Sequence, residues 1–234
     1  AVLPVLHNFA KHSNDALAQM AVKALGKRLD NESVPLLVSL MASHKNQYCR
    51  ELAYKALMAY KSDVAAKAVV PELKNSSPKV RVQAIDIIGN SKSQELSSYL
   101  TPLVNDADPV VREELAKTLR NIGGKTAADL LIRQLQDKSP RVRLETIRTI
   151  ISMNEPFYCE ALLELIYNES DRNLMDNAFT ALINQIKEEQ TQPVINKLLA
   201  GLKHSDPVKR EKFVDLAGRT GNAALFDILA DIAQ

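Results

Sequence analysis

The sequence has no tryptophan, seven glycines, two cysteines and no excess of charge of either sign. Two cysteines in 234 residues exclude a disulfide-stapled scaffold, which needs several bridges to replace a core. So little glycine leaves no phosphate-cradling loop. The one candidate, Gly123-Gly124-Lys125-Thr126, lacks the upstream glycine and the preceding strand that a P-loop requires. With 30 basic against 28 acidic residues, the formal net charge of +2 supplies neither a field that gathers phosphate nor an acidic tail, so bulk charge does not select a partner. No apolar run approaches the roughly 18 residues of a membrane span, and no charged-then-apolar leader opens the chain. This composition suits a soluble, cytoplasmic protein, with no membrane insertion by this segment. Its first residue is Ala1 instead of methionine, which fits a processed form or an excerpt of a longer chain with flanking domains.

What the chain does have is plentiful alanine and leucine, which favour helix throughout, and an internal repeat. The stretch Asp137-Lys138-Ser139-Pro140-Arg141-Val142-Arg143 recurs as Asn75-Ser76-Ser77-Pro78-Lys79-Val80-Arg81, as Asp106-Ala107-Asp108-Pro109-Val110-Val111-Arg112, and as His204-Ser205-Asp206-Pro207-Val208-Lys209-Arg210. Weaker copies surround Asp15, Gln47 and Arg172. The seven anchors, at 15, 47, 78, 109, 140, 172 and 207, are separated by 32, 31, 31, 31, 32 and 35 residues. Self-similarity at this period marks a stacked solenoid in which each unit buries its apolar face against its neighbours. Residues 1–234 therefore read as a single repeat domain of about seven and a half helical hairpins.

Each repeat divides into a first helix, A, and a second helix, B. The A helices are expected at 1–11 and near 32–42, 63–74, 94–104, 126–136, 157–168, 193–203 and 223–233. The B helices are expected at 15–27, 47–60, 78–89, 109–121, 140–152, 172–187 and 207–219. The residue before each anchor is Asn14, Asn46, Ser77, Asp108, Ser139, Asp171 or Asp206, all good N-caps. Four anchors are prolines at the first helical position, where the missing N–H costs nothing. Gly26, Gly89, Gly123-Gly124 and Gly218 read as helix stops. Counting from the anchor, offsets +2, +6, +7 and +10 are mostly apolar, as in Val80, Ala84, Ile85 and Ile88, and at 100° per residue they form one core-facing stripe. Nine residues before the anchor, every A helix carries Leu or Val. Pro71 and Pro102 sit inside A helices and are expected to kink them.

The D-x-[SD]-P-x-V-R pattern, the helical pair per repeat and the prolines inside some A helices resemble HEAT repeats. The period of about 31 residues is similar to that of phycobilisome-lyase-type HEAT repeats. The resemblance spans essentially the whole chain. It implies an all-α fold, a right-handed α-α superhelix with the A helices convex and the B helices concave. It departs from the pattern in the sixth repeat, where Arg172 and Met175 replace the proline and arginine. The interval to the seventh anchor is longer, and Ile186–Thr191 is expected to extend the preceding B helix.

Cys49 and Cys159 occupy positions that elsewhere hold Val, Leu or Ala and read as core residues. Four repeats separate their anchors. At about 8–10 Å per helix layer that exceeds the roughly 7 Å reach of a disulfide, which suits a reducing compartment. The arginines at offset +3, Arg50, Arg81, Arg112, Arg143 and Arg210, form a ladder beside the buried stripe. A polar residue stands three before every anchor: His12, His44, Asn75, Asp106, Asp137, Glu169 and His204. These arginines are expected to pair with the inter-helix turns and pin adjacent repeats, as a structural ladder and not as a phosphate site. The histidines are expected to be turn residues, because none has a neighbouring ligand at metal spacing. No His-Glu pair of the kind that holds iron in HEAT-type hydroxylases exists. Tyr54 falls in a core slot, which leaves Tyr48 and Tyr60 as candidate contact residues. The lack of tryptophan and of a coherent basic groove argues against a base-flipping glycosylase.

Offsets +1, +4, +5 and +8 of the B helices lie opposite the core stripe. They align Tyr48, Glu51 and Lys55 beside Lys79, Gln83 and Asp86, then Glu113, Glu114 and Lys117, then Arg141, Glu145 and Arg148. A ridge that interleaves acids and bases suits a polypeptide of complementary charge more than a phosphate backbone, which rewards a continuous basic row. The expectation is a non-catalytic scaffold that binds a protein or peptide on this face and holds no cofactor or metal. The alternatives are a subunit of a phycobilin lyase-like enzyme, suggested by the short-repeat resemblance, and a nucleic-acid-binding protein.

Overall fold

The computed structural model describes residues 2–60, 63–153, 158–185, 196 and 207–220. Among them are thirteen α-helices, several 3-10 segments and no strand. In order the helices are α1 (Val2–Ala10), α2 (Asp15–Arg28), α3 (Val34–Ser43), α4 (Gln47–Ala59), α5 (Asp63–Ala68), α6 (Pro78–Ser91), α7 (Ser97–Leu100), α8 (Pro109–Ile122), α9 (Gly124–Gln134), α10 (Pro140–Met153), α11 (Cys159–Asn168), α12 (Arg172–Gln185) and α13 (Pro207–Thr220). The predicted A helices at 193–203 and 223–233, and the predicted extension over 186–191, lie outside the described residues. The chain divides into two compact units, residues 1–130 and 131–234. In the first, α1 pairs with α2, α3 with α4, and α5 with α6, while α7 and its flanking turns pair with α8. The B helices α2, α4, α6 and α8 stack in sequence. In the second, α10 and α12 stack, α11 pairs with α12, and α13 packs on both α11 and α12.

All seven B helices start at the predicted anchor, and the starts are chemically similar. Asn14 accepts from the N–H groups of Ala16 and Leu17, Asn46 from Cys49, Asp108 from Val110 and Asp171 from Leu174. Each such cap contributes about 1 kcal/mol. Ser77 makes no side-chain cap bond. A second device covers that start and five others: the side chain three before the anchor accepts from the N-cap's own N–H. His12 Nδ1 takes Asn14 N–H at 3.0 Å, His44 Nδ1 takes Asn46 N–H at 3.0 Å, and Asn75 takes Ser77 at 2.9 Å. Asp106 takes Asp108 at 2.9 Å, Asp137 takes Ser139 at 2.8 Å, and Glu169 takes Asp171 at 3.0 Å. These side chains fold the A-to-B turn by mimicking a backbone turn.

The helix stops differ from expectation. Gly26, Gly89 and Gly218 lie inside α2, α6 and α13, and only Gly123 ends a helix, with φ 65°. The stops of α2 and α6 are Leu29 and Lys92, both in the left-handed region. Gly26 and Gly89 serve packing. A Cβ on Gly26 would meet Ala56 Cβ at 2.8 Å, and one on Gly89 would meet Thr118 Cγ2 at 2.5 Å. Each glycine lets successive B helices approach closely. The prolines inside the A helices do more than kink them. After Ala68 the chain continues as a 3-10 segment, Val70–Lys74, with Pro71 near its start. Thr101–Asn105 does the same around Pro102. A proline cannot donate to the carbonyl four residues back, and the tighter winding accommodates that loss.

The core follows the predicted stripe. Val80, Ala84, Ile85 and Ile88 are buried, as are Val142, Thr146, Ile147 and Ile150, with Thr146 Oγ1 donating to the carbonyl of Val142 at 2.8 Å. Each fully buried Leu, Ile or Val contributes about 1.5–3 kcal/mol. Cys49 and Cys159 are buried free thiols within it.

Candidate interaction surface

On the first six B helices, offset +1 is exposed, and offsets +4 and +8 are exposed or half-buried. In the first unit this ridge carries Tyr48, Lys55 and Lys79 exposed, with Glu51, Asp86, Glu113 and Lys117 half-buried. In the second unit it carries Arg141 and Arg148 in solvent and Glu145 half-buried. Neighbouring members pair. Lys79 Nζ reaches Glu51 at 3.3 Å across α4 and α6, and Arg148 reaches Glu145 at 3.7 Å within α10. Lys117 sits 3.4 Å from both Glu113 and Glu114. The Lys23 ammonium lies over the Tyr48 ring, 5.4 Å from its centroid. Gln83 departs from the expected exposure and is buried. Tyr60 is also buried, its hydroxyl donating to the Asp30 carbonyl at 2.8 Å, so it offers no contact surface.

The sequence reading missed one link along this ridge. Tyr54, at offset +7 of α4, is half-buried, and its hydroxyl donates to Asp86 Oδ2 at 2.9 Å. On its other side Asp86 faces the Glu114 carboxyl of α8. Burial first, then this second carboxyl, push Asp86 up to about 7. Burial and the adjacent Asp86 charge push the Tyr54 phenol well above its ordinary value. Burial pulls the Lys117 ammonium down, but Glu114 and Glu113 outweigh it and hold the charge in place. Three B helices thus bring together a phenol, two facing carboxyls and an ammonium. The signal was a +7, +8, +5 progression in consecutive repeats.

The arginines at offset +3 direct their donors into the turns. The Arg50 guanidinium donates to the His44 carbonyl, and Arg81 to those of Asn75 and Ser76. Arg112, which is buried, donates to the Asp106 carbonyl at 2.6 Å, and Arg143 donates to that of Asp137 at 2.8 Å. Two also reach the next repeat. Arg81 grips both oxygens of Asp106, at 2.8 and 2.7 Å, and Arg143 grips Glu169 Oε2 through Nε and Nη2, at 2.8 and 2.7 Å. Burial raises the Glu169 carboxyl, but the Asp171 N–H, Arg143 and the Ser170 N–H outweigh it, so it sits below the ordinary carboxylate range. Arg210 is half-buried on α13.

Among the described residues no three His, Cys, Asp or Glu side chains gather as metal ligands. None of the described helices is long and apolar enough to cross a membrane. A groove of about 420 Å³ in the first unit is lined by Lys67, Val70, Pro71, Glu95, Leu96 and Tyr99.

The family model for HEAT repeats matches residues 3–75, 66–139 and 103–183. A search of curated proteins finds no match. Among solved structures, the E. coli protein YibA is similar at 18% identity and a TM-score of 0.56, over 98% of this chain and 85% of that one. A designed armadillo repeat protein, solved in complex with the peptide (KR)4, aligns at 20% identity and a TM-score of 0.50, over 80% of this chain and 100% of its own. The CpcE–CpcF complex of phycocyanin lyase from Nostoc sp. aligns at 19% identity and a TM-score of 0.49, over 93% of this chain and 94% of that one. With a family match from residue 3 to 183 and a helical hairpin in each of the first six periods, the chain belongs to the HEAT-repeat family, an all-α solenoid scaffold.

Proposed function

We propose that this scaffold is non-catalytic and holds a polypeptide partner along the exposed ridge of its B helices, through Tyr48, Glu51, Lys55, Lys79, Asp86, Glu113, Lys117, Arg141, Glu145 and Arg148. The observation that carries this reading is the ridge's composition: exposed cations alternate with half-buried acids from one repeat to the next, with one exposed aromatic, Tyr48, among them. Such alternation fixes the register of a partner of complementary charge, whereas a phosphate backbone is served by an unbroken basic row. The continuity of the repeat period through residue 130 supports reading residues 1–234 as one repeat domain. The buried free thiols fit a reducing compartment, the cytoplasm.

Lys117 is a poor position for a charge reversal, because a glutamate there would face Glu113 and Glu114. Lys55, Lys79 and Arg148 are exposed and suit the test. Peptides selected on the parent from a random displayed library should lose at least about tenfold in affinity, or 1.4 kcal/mol, for the variant carrying Lys55→Glu, Lys79→Glu and Arg148→Glu. Its melting temperature should stay close to the parent's, since exposed charges contribute roughly 0–1 kcal/mol each. Equal affinity for the triple variant would overturn the assignment. So would tight binding of a duplex of about 20 base pairs with a steep inverse dependence on salt.

A further inference from the structure

The third and fourth A helices differ from the other described ones in carrying a proline seven residues before the anchor, Pro71 and Pro102, where the others hold Asn8, Leu40, Arg133 and Leu165. Both break into 3-10 turns there. The groove lined by Lys67, Val70, Pro71, Glu95, Leu96 and Tyr99 lies between these two broken helices. Its walls are tied together by Ser93, whose hydroxyl donates to Asp63 Oδ2 at 3.3 Å. The fourth A helix is α-helical only over Ser97–Leu100, with 3-10 turns on both sides, and at three residues per turn its side chains fall at other angles than in an unbroken helix. Ten residues before the anchor, the A helices of the second, fifth and sixth repeats hold Leu37, Leu130 and Leu162, each no more than 2% exposed. The fourth repeat holds Tyr99 there, and it is 52% exposed.

The charges of the groove are unequal. Lys67 Nζ lies 3.8 Å from Asp63, one turn back on α5, so its charge is already answered. Glu95 is exposed and makes no ion pair among the described residues, and the Tyr99 hydroxyl takes no hydrogen bond among them. Glu95 and Tyr99 are four residues apart and share one face. An open aromatic ring beside an unanswered carboxylate suits a guanidinium, which stacks its plane on the ring and forks onto the carboxylate. The rest of the lining, Val70, Pro71 and Leu96, is apolar and asks for an apolar neighbour to that cation. At about 420 Å³ the groove is at the lower end of ligand pockets, roughly 300–1,000 Å³, and suits a few side chains.

We infer that this groove on the A-helix side of the first unit docks an extended peptide segment carrying an arginine next to a proline or an aliphatic residue. The arginine pairs with Glu95 and lies on Tyr99, and its neighbour rests on Val70, Pro71 and Leu96. Aromatic and apolar grooves of this kind receive extended, proline-containing segments, whose preformed backbone loses little freedom on binding. Tyrosine is among the residues that carry most of the energy of such contacts. All six lining residues belong to A helices, so the site stands whether or not the B-helix ridge holds a partner.

The test pans a displayed library of short random peptides on the variant carrying Lys55→Glu, Lys79→Glu and Arg148→Glu, whose B-helix ridge is reversed, so that a failure of the ridge reading does not affect the result. The recovered peptides should share an arginine beside a proline or an aliphatic residue. Their affinity should fall by at least about tenfold when Glu95→Lys or Tyr99→Ala is added. Glu95 is exposed, so Glu95→Lys should move the melting temperature by about 1 °C or less, which separates lost binding from lost folding. Exchanging the peptide's arginine for glutamate should abolish binding to Glu95 and restore it to Glu95→Lys. Backbone amide shifts on adding a recovered peptide should concentrate at residues 67–71 and 95–99. The inference is overturned if no peptide is recovered, if the recovered peptides carry no cation, if they bind the Glu95→Lys and Tyr99→Ala variants equally well, or if their amide shifts fall elsewhere.

Discussion

Replacing Asp86 with asparagine should stabilise the protein, and only at the pH where the parent is charged. Asp86 lies between α4 and α8, facing Tyr54 on one side and Glu114, Lys117 and Glu113 on the other. Its folded-state value of about 7 stands above an ordinary 3.8. A carboxyl raised in this way stabilises the fold while it is protonated. That contribution is fully present below about pH 4 and is lost as the pH rises through about 7. At 1.36 kcal/mol per pKa unit the full difference is about 4 kcal/mol. The adjacent Lys117 ammonium and solvent at the ridge reduce that, and a net gain of about 1–2 kcal/mol at pH 8 is expected for Asp86→Asn. Asparagine keeps the shape, still accepts from the Tyr54 hydroxyl, and donates its amide to Glu114, so no polar group is stranded. Urea unfolding of parent and variant at about pH 4.5, 6, 7 and 8 reads the difference directly. The contributions of carboxylates shifted the other way, such as Glu169, cancel between the two proteins. If the variant is no more stable than the parent at pH 8, or if its gain is the same at every pH, burial beside Glu114 does not raise the Asp86 carboxyl.

Two further changes probe what holds the layers together. Arg81→Ala should cost about 2–3 kcal/mol, because it strands the half-buried Asp106 carboxylate and the turn carbonyls of Asn75 and Ser76. Arg81→Lys, which keeps the charge without the fork, should recover only part of that in thermal melts, and a cost below about 0.5 kcal/mol for the alanine would show that the clamp does not fasten one repeat to the next. Gly89→Ala should cost about 1–3 kcal/mol through overlap with Thr118 Cγ2. Adding Thr118→Ser, which removes that methyl and keeps the hydroxyl, should return most of the loss in the same denaturant assay. Failure of the second change to rescue the first would mean that the glycine is there for another reason.

The starts of the helices were legible and their ends were not, and the difference is one of range. A B-helix start is written in about seven consecutive residues: a side chain that folds the turn, a cap, often a proline, and the first core valine. All of these act within that window, as Asp106, Asp108 and Val111 show. A glycine near a helix end is ambiguous within the same window. Gly123 releases the chain at positive φ, whereas Gly26 and Gly89 sit mid-helix because Ala56 and Thr118, about 30 residues away, press on them. The ridge behaves in the same way. Counting 100° per residue identified which columns look outward, and Lys55, Lys79, Arg141 and Arg148 are exposed there. The same wheel put Gln83 and Asp86 on that surface as independent side chains. Asp86, at offset +8, meets an offset +7 residue of the layer before it and an offset +5 residue of the layer after it. Tyr54, Asp86 and Glu114 satisfy one another because a phenol and two carboxyls happen to fall at those crossings. In a solenoid each helix contributes half of every crossing, so the chemistry of the surface is set by pairs one period apart. Comparing each B helix with the next, column against column, is the step that carries a reading from exposed positions to the groups that act together.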